Sequence, residues 1–417
     1  MVDDHVLDGG PRSVIVVGAG IVGLSTAWFL QERGVDVTVV DRGGVAAGAS
    51  WGNAGWVAPA LTIPLNQPSV LAYGLKSLAN PAAPLHVPAR ADVKLWSFLT
   101  RFAANCRRSS WDRAVSANLP FNEECLEAFD VLTANGVDAP TTDVPITALF
   151  ADEHHATHLI DELEGLRRLG QDLSYRRLDG DRLRQHVPLA SDDVAIGISV
   201  QGQRFVDPGR FTHALARAVT SRGATIHTAA VVGVHRYGQG ARVDLDAAEP
   251  LRADAVVIAT GAWLSHLTGR QLRTPVRAGR GYSFTVPVDR PLPGPMYLPE
   301  ARVACTPYQG GLRVAGTMEF RGPDEPAVPA RIEAIVASAR PLLAGVRWND
   351  RTDEWVGSRP VSADGRPLIG AISPHVFVAG GHGMWGLAHG PISGRLLAEQ
   401  ITTGKQPAAL RAVDPLR

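Results

Sequence analysis

Residues 13–23 read SVIVVGAGIVG, and their reading decides the fold. Ser13 to Val17 is a short β-branched run, and the glycines follow at once. The stretch IVGLSTAWFLQERG (21–34) has apolar residues at helical spacing, and VDVTVVD (35–41) is a second strand ending on Asp41. Strand, glycine turn, helix and strand make a βαβ unit. In it Gly18 permits a tight turn, Gly20 lets a pyrophosphate approach the backbone, and Gly23 lets the helix pack close to the strand. The helix start, Ile21 and Val22, faces the phosphates with unpaired N–H groups and a positive dipole end. Asp41, followed by Arg42, stands where an acid accepts hydrogen bonds from an adenosine ribose. The unit predicts a bound dinucleotide.

The same glycine spacing recurs at Gly381, Gly383 and Gly386 in GGHGMWG (380–386). A dinucleotide half-site needs about 30 residues of strand, turn, helix and acid-ended strand. After Gly386 the chain supplies a helix and then a proline-broken tail, without a second β-branched run or terminal acid. No complete fingerprint occurs mid-chain either, so one dinucleotide is expected. Glycines after a buried strand let a backbone lie against a flat ring, and the helix that follows aims its N-terminus at that ring. A plain strand-to-helix turn is the structural alternative.

Composition excludes some partners. The 417 residues hold 41 basic and 41 acidic side chains, so no concentrated positive charge points to nucleic acid. The start MVDDHVLDGG is acidic and lacks an apolar core, and no later stretch has the about 18 uninterrupted apolar residues of a spanning helix, which makes the cytoplasm the expected compartment. Cys106, Cys125 and Cys305 are far apart and read as core residues. His154 and His158 in HHATH have a metal-capable spacing, but the surrounding amphipathic pattern reads as a solvated helix face, and no metal is expected.

The length favours two domains. Leu61 to Pro88 is proline-rich and irregular, which suits a lid or crossover; helical patterns then dominate to about Gly170. A helix opens near Asp207-Pro208, ADAVVIATGAW (253–263) adds a buried strand, strand patterns fill 275–320, a helix lies near 332–343, and HVFVAG (375–380) is one more strand. The expected architecture is α/β: a Rossmann-like dinucleotide-binding domain from discontinuous segments 1–90, 196–270 and 350–417, with an inserted α+β substrate domain, 91–195 and 271–349, built on a mainly antiparallel sheet.

Eight segments occur in one order: VIVVGAGIVGLSTAWFLQERGVDVTVVDR (14–42), GASWGNAGW (48–56), VDPGRFTHALA (206–216), ADAVVIATGAW, GRGYSF (279–284), GLRVAGTMEF (311–320), GSRPVSADGRPLIG (357–370) and VFVAGGHGMWG (376–386). From about Ser13 to Gly404 the chain resembles the FAD-dependent D-amino-acid dehydrogenases, within the glycine oxidase and D-amino-acid oxidase superfamily. The resemblance implies FAD. Its adenosine end falls on Gly18, Gly20, Gly23 and Asp41; Ser50, Asn53, Ala54 and Gly55 pass near the pyrophosphate and flavin; Val232 gives the backbone contact to the adenine. Thr260 and Gly261 form a second pyrophosphate wall, and Gly381, His382, Gly383, Met384, Gly386 and Leu387 form the loop at the flavin edge. The resemblance also implies that Arg359 in GSRP pairs with a substrate carboxylate, for which a permanently charged bidentate donor is suited. Ser358 departs from the leucine of the related oxidases. Tyr282 and Tyr308 are candidates for hydrogen bonds to the carboxylate or for closing the pocket.

The chemistry so implied is hydride transfer from the substrate Cα to flavin N5, giving an imine that hydrolyses to a 2-oxo acid and ammonia, or a stable imine from a secondary amine such as hydroxyproline or sarcosine. A neutral amine pushes its own lone pair into the forming double bond, so no protein base is required. His382 is the tempting base but reads better as a flavin-loop residue. With no cysteine after Cys305 and no histidine in GASWGNAGW, the FAD is expected to be non-covalent. Oxygen, a quinone or another carrier would take the electrons. Residues 93–108, VKLWSFLTRFAANCRR, interleave apolar and basic side chains, a pattern for packing on the neighbouring domain or for peripheral contact with an anionic inner-membrane surface. A non-catalytic flavoprotein subunit of a larger dehydrogenase is the reading from a different class.

Overall fold

The computed structural model describes residues 10–70, 83–88 and 90–417. Ser13–Val17 lies in a six-stranded sheet of order Thr225–Thr228, Asp36–Asp41, Ser13–Val17, Ala255–Ile258, Val376–Gly380, Leu368–Ser373. The first five strands are parallel and the last is antiparallel. The β-branched run is explained by burial on both faces. Val14 and Val16 join a core with Leu24, Trp28, Phe129, Phe211 and Leu397, while Ile15 and Val17 pack with Val40, Val243 and Val256. Helices Ile21–Gln31, Arg108–Ala134, Pro208–Ser221 and Gly386–Thr403 supply the first core; the antiparallel strands Val231–Tyr237, Gly240–Leu245 and Ala248–Ala253 cover the other face. The helix expected at Asp207-Pro208 opens there, with Asp207 Oδ1 accepting from Arg210 N at 2.9 Å.

The second large layer is a nine-stranded, mainly antiparallel sheet. Its order is Thr352–Ser362, Val276–Val286, Gly311–Phe320, Val303–Tyr308, Met296–Leu298, Ile146–Phe150, Ile196–Val200, Tyr175–Asp179, with Leu85–His86 paired to Gly311–Phe320. Helix Pro329–Ala339 packs on one face through Ile332, Ile335 and Val336, and Cys305 is buried there. Residues 50–56 cover the other: Ser283 Oγ donates to Gly52 O at 2.6 Å and Trp56 Nε1 to Thr306 Oγ1 at 2.9 Å.

Sheet pairing departs from the expected boundaries. Ile196–Val200 and Thr352–Ser362, expected with the dinucleotide-binding segments, hydrogen-bond to Ile146–Phe150 and Val276–Val286 and so belong to the nine-stranded sheet. Helix Arg108–Ala134, expected in the inserted domain, buries Phe121 and Phe129 in the first core. Of the irregular stretch expected over 61–88, residues 71–82 lie outside the described residues, as do residues 1–9. Helix Val93–Asn105 packs Phe98 and Phe102 against Phe320, leaving Trp96 outside. His154 and His158 meet edge to face, ring centroids 4.7 Å apart, on the exposed side of Glu153–Arg168. Among the described residues no group of three or more His, Cys, Asp or Glu has metal-holding geometry, and no helix is long and apolar enough to cross a membrane.

The terminal helix, Gly386–Thr403, is pressed onto the first. A Cβ on Gly394 would lie 2.6 Å from Thr26 N and 2.7 Å from Ser25 C. Its buried polar groups are threaded into a network: His389 Nε2 donates to Asn122 Oδ1 at 2.7 Å, Thr62 Oγ1 donates to the same oxygen at 2.6 Å, and Asn122 Nδ2 donates to Gln171 Oε1 at 2.6 Å. Burial lowers His382 from 6.5 to about 4 and, with His382 beside it, His389 to about 3. Both rings are therefore neutral in the fold while the unfolded chain still binds protons below pH 6.5. Stability is complete above that pH and falls as the pH drops, by up to about 1.4 kcal/mol per pH unit for each histidine. Urea midpoints measured from pH 7.5 to 5 are expected to fall over the lower half of that range, and His389→Gln, which keeps a donor toward Asn122, is expected to flatten the slope by about half.

Candidate active site

Five parallel strands end side by side, and their C-terminal ends open on a cavity of about 470 Å³. In sheet order the ends contribute Ala229–Val231, then Asp41 and Arg42, then Gly18 and Gly20, then Thr260 and Gly261, then His382 and Gly383. Four inter-strand spacings of about 4.8 Å give a trough about 19 Å long, the reach of an extended dinucleotide across the carboxyl ends of a parallel sheet.

Each wall has a local cause. Gly18 has φ +118°, and a Cβ there would lie 2.4 Å from Ala259 O. A Cβ on Gly23 would lie 2.0 Å from Gly18 O, so Gly23 serves the packing of the turn and does not line the cavity. Ile21 N donates to Ser50 Oγ at 3.0 Å, which ties the first helix to the 50–56 segment. Asp41 braces the glycine loop: Oδ2 accepts from Ala19 N at 2.8 Å and Oδ1 from Gly43 N at 2.8 Å and Gly44 N at 3.1 Å. Arg42 reaches outward to Asp324 at 2.6 Å, and Trp263 Nε1 donates to the other Asp324 oxygen at 2.8 Å. Arg42 and Trp263, both lining residues, are thereby clasped to a loop of the nine-stranded layer.

At the far end the nine-stranded sheet supplies Trp355, Ser358 and Arg359. Arg359 passes over strand Val276–Val286 at Gly281, where an added Cβ would lie 2.1 Å from its Cζ. Its Nη1 donates to Thr317 O at 3.0 Å. Thr317 holds φ +57° in a bulge, an uncommon conformation for a β-branched residue, and the bulge turns that carbonyl toward the guanidinium. No carboxylate pairs with Arg359 among the described residues; burial pulls it down to about 10, still charged at neutral pH. Trp355 lies flat against two glycines, since a Cβ on Gly357 or Gly52 would meet its ring at 1.9 or 2.4 Å. Opposite, Gly381 and Gly383 have φ +73° and +58° and turn the chain from strand to terminal helix. His382 Nε2 meets Ser393 Oγ at 3.0 Å, and its buried Nδ1 has no partner.

Sixteen of the residues singled out in the sequence meet in this one cavity: Gly18, Gly20, Ile21, Val22, Asp41 and Arg42 from the first unit; Ser50, Asn53, Thr260 and Gly261 from the middle; Arg359 and the loop residues His382, Gly383, Met384, Gly386 and Leu387. Others do not. Val232 is 61% exposed, and its neighbour Val231 takes the place at the cavity wall. Gly55, φ +74°, is packed against Val206 O, and neither it nor Ala54 nor Gly381 lines the cavity. Tyr282 is a correction: it points to the opposite face of the sheet, where its hydroxyl donates to Glu319 Oε1 at 2.6 Å and accepts from Val328 N at 3.1 Å. Burial, then Glu319, pushes it up to about 12. Tyr308 shares the face of Arg359 but lies outside the cavity, its ring 4.1 Å from the Arg313 guanidinium. Trp355 was not singled out, yet its alternation with Gly357 and Arg359 at steps of two puts it on their face of the strand.

Comparison with known proteins agrees with this arrangement. A D-amino acid dehydrogenase of Paramagnetospirillum magneticum is 31% identical, covering 93% of this chain and 94% of its own length. One from Vibrio cholerae serotype O1 is 30% identical, covering 97% and 98%. The crystal structure of glycine oxidase from Geobacillus kaustophilus superposes with a TM-score of 0.74 at 22% identity over 98% of each chain, which shows the same fold. The family model described as DAO, FAD dependent oxidoreductase, matches residues 13–400, and the chain belongs to that family.

Proposed function

We propose that this enzyme oxidises the α-carbon of an amino acid, a D-amino acid by preference, with FAD held non-covalently in the 470 Å³ cavity. The observation that carries this reading is the guanidinium of Arg359, charged, without a carboxylate partner and set at the end of the dinucleotide trough. Three features support the cofactor. Gly261 and Gly383, φ +56° and +58°, both face open space in the cavity where a side chain would stand. Thr260 Oγ1 and His382 Nδ1 are buried lining atoms without a hydrogen-bond partner. No side chain caps the first N–H groups of Gly386–Thr403, and Gly386 and Leu387 line the cavity. FAD, when bound, supplies the acceptor for a hydride from the substrate.

The protein's share is positioning. Arg359 fixes the substrate carboxylate through two parallel N–H donors, and Thr317 O holds the guanidinium in place. Trp355 walls the site against water. His382, neutral at physiological pH, is a weak proton acceptor, and the substrate amine, once deprotonated, drives the reaction with its own lone pair. Val93 and Trp96, 84% and 43% exposed beside Lys94 and Arg101, support peripheral contact with an anionic membrane surface at which a quinone takes the electrons.

Three measurements test this. Under anaerobic conditions a D-amino acid is expected to bleach the bound flavin; a panel that adds glycine, sarcosine and hydroxyproline epimers separates primary from secondary amines, and bleaching by none of them sinks the enzyme reading. Arg359→Met is expected to lower kcat/KM by about a hundred- to a thousandfold, the loss of one partner of a buried charge pair, while bound FAD stays stoichiometric by absorbance. Unchanged turnover in that variant would remove Arg359 from the site. Vesicles containing anionic lipid are expected to sediment the protein, and Trp96→Glu to release it; equal sedimentation of both forms argues against this surface.

A further inference from the structure

Asp324 stands outside the cavity, on the loop after strand Gly311–Phe320, yet it holds two of the cavity's lining side chains at once. Arg42 Nη2 donates to its Oδ1 at 2.6 Å and Trp263 Nε1 to its Oδ2 at 2.8 Å. The Arg42 guanidinium in turn lies 4.2 Å from the Trp263 ring, so each of the three groups touches the other two. Arg42 makes no other hydrogen bond among the described residues.

The position of this cluster follows from sheet order. Arg42 comes after strand Asp36–Asp41 and Trp263 after Ala255–Ile258, which flank Ser13–Val17. Their strand ends are therefore about 10 Å apart, with the Gly18 turn between them. The two side chains close that distance. Trp263 also reaches the loop on the opposite rim, where a Cβ on Gly48 would lie 3.9 Å from its Cζ3. That loop is fastened beside the first helix by Ala46 N, which donates to Ala19 O at 3.0 Å. A bridge thus runs across the middle of the trough. The adenosine end, Ala229–Val231 and Asp41, lies to one side of it and the end with His382 and Arg359 to the other. A dinucleotide that spans both ends passes beneath.

The loop that carries Asp324 is a fixed post. Gly322 N donates to Glu325 Oε1 at 2.9 Å, Arg90 Nη1 to Glu325 Oε2 at 2.8 Å, Ser358 Oγ to Pro323 O at 3.2 Å and Arg280 Nη2 to Pro326 O at 2.9 Å. The ion pair itself is half-exposed on both sides. Such a pair adds little to the stability of a fold, so its effect falls on what lies under it.

We propose that Asp324 is a positioning residue for the cofactor: it latches Arg42 and Trp263 into a roof over the trough, and FAD enters and leaves only when this latch opens. The inference rests on the reading of the 470 Å³ cavity as the FAD site. Cofactor exchange is then governed by a residue of the nine-stranded layer that does not line the cavity.

Release of FAD is followed on the loaded enzyme as the rise of flavin fluorescence after dilution, and uptake on the flavin-free enzyme as its fall. Asp324→Ala is expected to speed release by about tenfold and uptake by about the same factor, because a latch bars both directions. Asp324→Asn keeps an acceptor for Trp263 but loses the ion pair, and is expected to fall between. Raising NaCl from about 0.05 to about 0.5 M is expected to speed release from the unaltered enzyme more than from either variant. Faster release with unchanged uptake overturns the latch, since loss of an ordinary contact in the bound state gives that result; equal release rates overturn it as well. If Asp324→Ala does not fold, Asp324→Asn and its response to salt decide, and a response equal to that of the unaltered enzyme overturns the proposal. Gly261→His tests the reading underneath, because its ring enters the open space of the cavity at a φ of +56° that histidine tolerates. It is expected to abolish uptake. A Gly261→His enzyme that still loads FAD removes the cavity reading together with the latch, whereas failure of the latch alone leaves the cavity reading standing.

Discussion

The carbonyl of Ala259 occupies the place where a side chain at residue 18 would begin, 2.4 Å from an ideal Cβ. That contact, with the hydrogen bond from Ala259 N to Val17 O at 2.8 Å, sets two strand ends side by side at the middle of the trough. The remaining walls follow from it. Gly23 against Gly18 O holds the first helix at the strand, and Gly394 against Ser25 and Thr26 holds the terminal helix against the first. Through this chain of glycine contacts the N-termini of two helices point into one cavity, though 365 residues separate Ile21 from Gly386. Any added methyl along the chain moves a helix end away from the ligand it serves.

The second constraint is charge without a partner. Glu319 on the far face of the nine-stranded sheet has Arg280 and Arg321 within 4.0 Å. On the near face Arg359 and Arg313 have no such acid among the described residues. The sheet thus pairs its cations with Glu319 on the face toward helix Pro329–Ala339, whereas on the other face Arg359 stands at the cavity wall without an acid among the described residues. Buried charge is expensive unless something is meant to meet it. On the role proposed for Arg359, the near face is the one that receives an anion.

What the sequence made legible was local. The strand, turn, helix and acid of 13–41 lie within one βαβ unit, and the later glycines stand directly between a strand and a helix, so spacing alone carried their positions. Assignments that depended on distant pairing did not carry over. Strands Ile196–Val200 and Thr352–Ser362 read as members of the first domain because their neighbours in sequence are, yet their hydrogen bonds go to distant partners, 54 residues away in Ile146↔Val200 and 86 in Val276↔Ser362. At the adenine end Val231 lines the cavity while the side chain of Val232 is exposed, as a period of two requires.

The strand Val276–Val286 shows why aromatic residues misled. Its alternate positions are Arg280, Tyr282, Phe284 and Val286 on one face and Gly279, Gly281, Ser283 and Thr285 on the other. Tyrosine attracts attention as a hydrogen-bonding group, but the bulky face is the one that fills the core with Ile335 and Leu312. A substrate needs the opposite: a surface from which side chains have been removed, over which longer ones reach in from neighbouring strands. Gly281 has that role, because only a missing Cβ lets Arg359 cross it. In a strand that borders a site, the small residues mark the working face, and the residues to inspect are those whose side chains pass above them.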